Sequence, residues 1–195
     1  MKQIYIHSIH ESEDADIDFR VSSKFIKELH AASKGNTDPI LIHLKTNGGG
    51  WEDGMAIYDA IDYCKNPIYI LGHGSICSMG TIIMQAADRR YLMPHTCFMI
   101  HYGSMFASGH QVQVESTTDY YRAAKETMLA IYANKCNKAP FFDEYNTKET
   151  LDYIREQLDR LCDWYMTPKE AVKFGFVDKV ITKQTYRKYI SNAVT

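Results

Sequence analysis

A run typical of a buried β-strand, PILIHLKT, ends on Asn47-Gly48-Gly49-Gly50 and is followed at once by WEDGMAIYDAIDYC, where Met55, Tyr58 and Ile61 recur at helical spacing. A strand that breaks on glycines and re-forms as a helix is the unit from which parallel sheets are built. The same alternation extends in both directions. KQIYIHS reads as a first strand and SSKFIKELHAAS as an amphipathic helix with Phe25, Ile26 and Leu29 on one side, the two joined by an acidic loop, ESEDADID. PIYILG is a third strand, GHGSICSMG a turn into a helix, TIIMQAA a buried helix, and RRYLMP and CFMIHYG two further strands. These elements predict an α/β domain with a largely parallel sheet, one domain over residues 1–195.

The second half has a different character. A helical region runs from about Gln111 to Lys135, and TKETLDYIREQLDRL forms another helix, its Leu151, Ile154, Leu158 and Leu161 spaced three, four and three apart as one apolar stripe. Asn146 and Glu149 have capping-box spacing. The two helices are expected to form an arm projecting from the core over residues 105–162. Thr167, Pro168 and Glu170 open a last well-capped helix, Gly175 stops it, and FVDKVIT closes the pattern as a strand. The tail RKYISNAVT carries no signal.

Composition excludes several function classes. A net charge of −2 with scattered Lys and Arg gives no electrostatic case for nucleic acid or an anionic membrane. Five cysteines, an odd number with no Cys-x-x-Cys pair, predict neither a disulfide framework nor a zinc site, and fit a reducing, cytoplasmic setting. The start turns acidic before a signal-peptide core can form, and no apolar run approaches the roughly 20 residues of a membrane span.

A serine hydroxyl needs a base, a group to orient that base, and donors for the oxyanion before it becomes a useful nucleophile. Ser78 stands where a glycine-rich strand meets the apolar helix TIIMQAA, and its Oγ would lie beside the N–H of Met79. Read alone, Ser78 is more simply an N-cap than a nucleophile, and Ser75 and Cys77 compete with it; Cys77 is expected to point into the core if Ser78 points out. NGGG reads either as an ordinary turn or as a nest of N–H groups for an anion. It lacks the Lys-Ser/Thr of a phosphate loop and the G-x-G-x-x-G spacing. His101 ends the apolar strand CFMI and is either a buried structural histidine or a base. Asp163 lies four residues before Thr167 in an apolar setting. Taken together, the order Ser, His, Asp places each group at an element end, where functional side chains collect. The G-x-S-x-G elbow of the α/β-hydrolases is absent around Ser78.

GMAIYDAI, SMG after a glycine-led strand, MIHYG and DWYMTPKEAVKFGFVDKVI resemble, in this order, the motifs of the Clp protease proteolytic subunit, from about Leu41 to Ile181. The resemblance implies Ser78 as nucleophile in a Ser-Met-Gly motif, His101 as base in a Met-Ile-His motif, and Asp163 as orienting acid. It implies Gly49 and Met79 as the donors of a backbone oxyanion hole. It further implies a crotonase-like fold of repeated β-β-α units with a helical handle, homo-oligomers of two stacked rings (usually heptameric), and unfolded polypeptide as substrate. A hexameric AAA+ unfoldase would supply ATP-driven feeding, and the peptidase itself would need no metal or nucleotide. Four departures stand out. The family's axial loop and first helix are expected to be missing ahead of the first strand, and Thr46-Asn47 replaces Ser-Pro before the glycines. The segment between His101 and Asp163 is longer, and Tyr102 stands where Gln usually follows the histidine.

Two other readings compete. An acyl-CoA hydratase or isomerase would use the same two N–H groups without the Ser-His-Asp set, and a non-catalytic ring subunit would keep the fold alone. A membrane-type signal peptidase with a Ser-Lys dyad would need an anchor that the sequence does not offer.

Overall fold

The computed structural model describes residues 1–7 and 17–191. Most of the acidic loop therefore lies outside the described residues. Strand β1 (Lys2–His7) leads to helix α1 (Phe19–Ser33), then β2 (Ile40–Thr46), α2 (Trp51–Asp62), β3 (Ile68–Cys77) and α3 (Met79–Gln85). Short strands β4 (Arg89–Leu92) and β5 (Cys97–Ile100) precede the long helix α4 (Gln111–Cys136) and helix α5 (Thr147–Leu161). The chain closes with β6 (Trp164–Met166), α6 (Pro168–Lys173), β7 (Lys179–Val180) and α7 (Lys183–Ser191).

The caps explain most of these boundaries. Asp18, read from sequence as loop, accepts from the N–H groups of Arg20 and Val21 and starts α1 three residues earlier than its apolar period indicates. Asn146 with Glu149, and Thr167 with Glu170, form the capping boxes that their spacing predicts. In α5, Ile154 and Leu158 are buried, but Leu161 at the last position of the helix is exposed. The buried face of α2 is Gly54, Ile57 and Ile61, with Met55 and Tyr58 flanking it. All seven residues of α3 are buried, as an apolar helix at the centre of a core must be.

Strands β1, β2, β3, β4 and β7 pair in that order, all parallel. Strand β3 is longer than its sequence indicates and it forks. Residues Tyr69–Gly72 pair with β4, whereas Ser75–Cys77 pair with β5. Gly74, at φ +58°, lies at the change of partner, so the glycines that read as a turn instead let one strand serve two neighbours. Strand β6 returns antiparallel along β5. One face of the sheet packs into the main core with α1, α2 and α3, and a smaller cluster of Leu41, Leu71 and Ile181 sits on the other, covered in part by Tyr186 and Tyr189 of α7.

That second face holds a histidine pair. His43 Nε2 donates to Gln3 Oε1 (3.1 Å), which leaves its Nδ1 to accept from His73 Nε2 (3.0 Å). The Tyr5 ring stacks on His43 at 4.6 Å. Burial, and then the neighbouring His73, lower the His43 pKa from 6.5 to about 4, and burial lowers that of His73. A folded pKa below the unfolded value means the unfolded chain binds more protons in the interval between them. Stability is therefore expected to be full above about pH 6.5 and to fall as the pH drops towards about 4. Urea midpoints measured across this interval should show the slope, and His43→Gln should flatten it.

Candidate active site

Three adjacent strand ends carry the candidate residues. Cys77 pairs with Met99 across β3 and β5, and the Ser78 N–H donates to the Met99 carbonyl (2.8 Å), so His101 lies just beyond the ladder. Ile100 pairs with Trp164 across β5 and β6, which sets Asp163 opposite His101. Registry thus brings together residues separated by 23 and 62 positions. His101 Nε2 lies 2.8 Å from Ser78 Oγ, and Nδ1 lies 3.0 Å from Asp163 Oδ1. An ionised Asp163 can only accept, so Nδ1 carries the ring hydrogen and Nε2 is left to accept from the serine hydroxyl. Such a chain can deprotonate the hydroxyl as it attacks a carbonyl. The other sequence candidates fall elsewhere: Cys77 is buried, and Ser75 lies three residues back within β3.

Ser78 has φ +51° and ψ −124°, a conformation that L-residues seldom adopt. The turn is held from behind. The Thr81 N–H and hydroxyl both donate to the Ser78 carbonyl, at 2.9 and 2.6 Å. With the Thr81 proton so used, the Tyr132 hydroxyl must donate to Thr81 Oγ1 (2.6 Å), and Tyr132 is fully buried on α4. The sequence reading missed both residues. Thr81 lies within the SMGT stretch, but nothing local links it to a tyrosine 51 positions away.

The glycine loop packs against the same turn. A Cβ on Gly48, at φ +123°, would stand 2.6 Å from Ser78 Cβ, so only glycine lets the loop approach the serine this closely. Gly49, at φ +143°, forms a parallel bridge with Ile17: the Ile17 N–H donates to Gly48 O (2.8 Å) and the Gly50 N–H to Ile17 O (2.8 Å). That pattern turns the Gly49 N–H away from Ile17. The Met79 N–H belongs to the first turn of α3, whose donors have no acceptor within the helix. Gly49 and Met79 both border a groove of about 730 Å³ that also contains Ser78 and His101. Trp51, Ile82 and Met128 supply apolar wall, and Arg122 and Lys125 of α4 line it as well. Among the described residues no cluster of three or more His, Cys, Asp or Glu could hold a metal.

A family model described as Clp protease matches residues 12–184. The chain belongs to the Clp protease family. It is 28% identical over 170 residues to an ATP-dependent Clp protease proteolytic subunit 2 of Pseudomonas aeruginosa, covering 86% of this chain and 78% of that one. A protein of the same description from Thermobifida fusca is 28% identical over 169 residues, covering 85% and 77%. A solved ClpP1 variant from Listeria monocytogenes superposes with a TM-score of 0.74 at 21% identity, over 94% of each chain, and shows the fold to be that of this family. No helix among the described residues is long and apolar enough to cross a membrane.

Proposed function

We propose that the protein is a serine endopeptidase that cleaves unfolded polypeptide inside a chamber built from copies of itself. The observation that carries this reading is the hydrogen-bonded chain Ser78–His101–Asp163 beside an open groove. Ser78 Oγ attacks the scissile carbonyl while His101 Nε2 takes its proton. Asp163 holds the imidazole in the tautomer that permits this. The oxyanion is received by the N–H groups of Gly49 and Met79, each worth about 3 kcal/mol of transition-state stabilisation. His101 then gives the proton to the leaving amine, and water enters to release the acyl group by the reverse sequence. An acyl-CoA enzyme would have no use for the Ser-His-Asp chain. The peptidase itself requires neither metal nor nucleotide in this reading; a partner AAA+ unfoldase would consume the ATP.

The handle supports assembly into rings that stack. None of residues 111–123 of α4 is buried, and the connection before it exposes Met105 and Phe106 (86% accessible), with Val112 (74%) at the start of the helix. Such side chains are expected at an interface between copies. The free thiols of Cys64, Cys97, Cys136 and Cys162 fit a reducing, cytoplasmic setting.

Incubation with short fluorogenic peptides, with and without acyl-CoA as competitor, tests the reading. Nucleotide-independent peptide hydrolysis, unaffected by acyl-CoA, by a species whose mass is a large multiple of 22.4 kDa is expected. A ring that assembles and cleaves no peptide would overturn the activity and leave a scaffold subunit.

A further inference from the structure

Strand β5 ends at Ile100, and residues 101–108 adopt no regular structure. His101 therefore sits just where the backbone ladder stops holding the chain, with Gly103 at φ +83° immediately beyond. Past the ladder the chain is fastened instead through the side chain of the next residue. The Tyr102 hydroxyl donates to Asp159 Oδ1 (2.8 Å), with the Arg155 carbonyl as a second acceptor at 3.3 Å, both on α5. The Lys125 ammonium of α4 lies 3.6 Å from the centre of the Tyr102 ring and 3.8 Å from Asp159 Oδ1. Arg155 and Glu126 form a two-pronged ion pair (2.9 and 2.8 Å) that ties α4 to α5 beside them.

Asp159 lies in the last turn of the helix that leads through Cys162 into Asp163. The contacts thus close a ring: His101 to Tyr102 along the backbone, Tyr102 to Asp159 by hydrogen bond, Asp159 to Asp163 along the chain as it leaves α5, and Asp163 back to His101. Both partners of the imidazole–carboxylate bond are referenced to one helix.

We propose that Tyr102 is a positioning residue, whose clamp to Asp159 beneath Lys125 holds the His101 imidazole in line between Ser78 and Asp163. The proposal rests on reading those three residues as a working triad. Burial and the Asp159 carboxylate keep the Tyr102 phenol protonated well above its ordinary range, so the donor persists at any working pH. Two simpler roles would leave different traces. A tyrosine that only fills core would show its loss in stability, and one that only lines the groove, as Tyr102 also does, would show it in substrate binding.

Peptide hydrolysis by the full chain and four variants separates these. Tyr102→Phe and Asp159→Ala should each lower kcat about tenfold, the factor for one hydrogen bond of ~1.4 kcal/mol, with KM changed by no more than about twofold. Asp159→Asn keeps an acceptor and should stay within about threefold of the parent. The double variant Tyr102→Phe/Asp159→Ala should be no slower than the slower single change, because the Tyr102–Asp159 bond is lost in all three and only the Lys125 contact of Asp159 differs. Thermal melts establish that each variant is folded. An unchanged kcat in Tyr102→Phe, a loss confined to KM, or additive losses in the double variant would overturn the positioning role alone. No hydrolysis by the parent would overturn the triad reading and this role together.

Discussion

Ser78→Ala should lower kcat/KM for peptide hydrolysis on the order of 10⁶-fold, because nucleophile and base act as a unit and removing one disables the other. The residual rate would come from the oxyanion donors and binding, which the substitution leaves in place. Fold should survive, because no backbone hydrogen bond of the turn depends on the hydroxyl: the Ser78 N–H is held by Met99 and its carbonyl by Thr81. A companion change sharpens the expectation. At φ +51° the serine is strained, at a cost of order 1–3 kcal/mol, and glycine would relieve that strain. Ser78→Gly is thus expected to be inactive yet about 1 kcal/mol more stable than the parent in urea titration. A variant that is less stable than Ser78→Ala would show the turn to be unstrained.

The largest effect on stability is expected at Arg90. Its side chain is 10% exposed and satisfies groups from three directions. Nη1 donates to Gln85 Oε1 (2.7 Å) and to the carbonyls of Gly175 (3.0 Å) and Phe176 (3.3 Å). Nη2 pairs with Asp178 Oδ1, whose other oxygen accepts from the Arg90 N–H (2.7 Å). One guanidinium therefore joins the end of α3, strand β4 and the approach to β7. Arg90→Met keeps the apolar stem but strands a buried amide oxygen and a buried carbonyl, while the exposed Asp178 carboxylate keeps the residue-90 N–H and turns its other oxygen to water. Leaving two buried acceptors without a donor costs about 2–6 kcal/mol in all. Urea unfolding should show that loss, whereas a change within about 1 kcal/mol would mean water enters and replaces the guanidinium.

The sequence is most informative where chemistry and local signals coincide. Asn146 with Glu149 and Thr167 with Glu170 announce their helices because a capping box is complete within four residues. Ser78, His101 and Asp163 stand out for a related reason: each lies at the end of an apolar segment, and motifs in a fixed order frame them. What escapes is decided by partners far along the chain. GHGSIC reads as a turn because Gly72 and Gly74 punctuate it, but β5 pairs with its second half and keeps it a strand. Strand β6 has only three residues and exists because Phe98, Met99 and Ile100 lie beside it. Helix α7, unread in the tail, is secured by Tyr186 and Tyr189 against the smaller core. Ile17, read as part of an acidic loop, is completely buried and braces Gly49, a contact that no local pattern announces. In the sequence Tyr102 stands out only as a departure from the family's glutamine. Its acceptor Asp159 is 57 positions away, and only folding shows that the replacement gained a partner.

Covalent labelling by a fluorophosphonate tests the central claim most directly, since the reaction needs the nucleophile, the base and the oxyanion donors aligned at once. The folded protein is expected to gain a single phosphonyl adduct, mapped by mass spectrometry to Ser78 and absent from Ser78→Ala. An unlabelled Ser78 in folded protein, or an adduct retained in Ser78→Ala, would contradict the account.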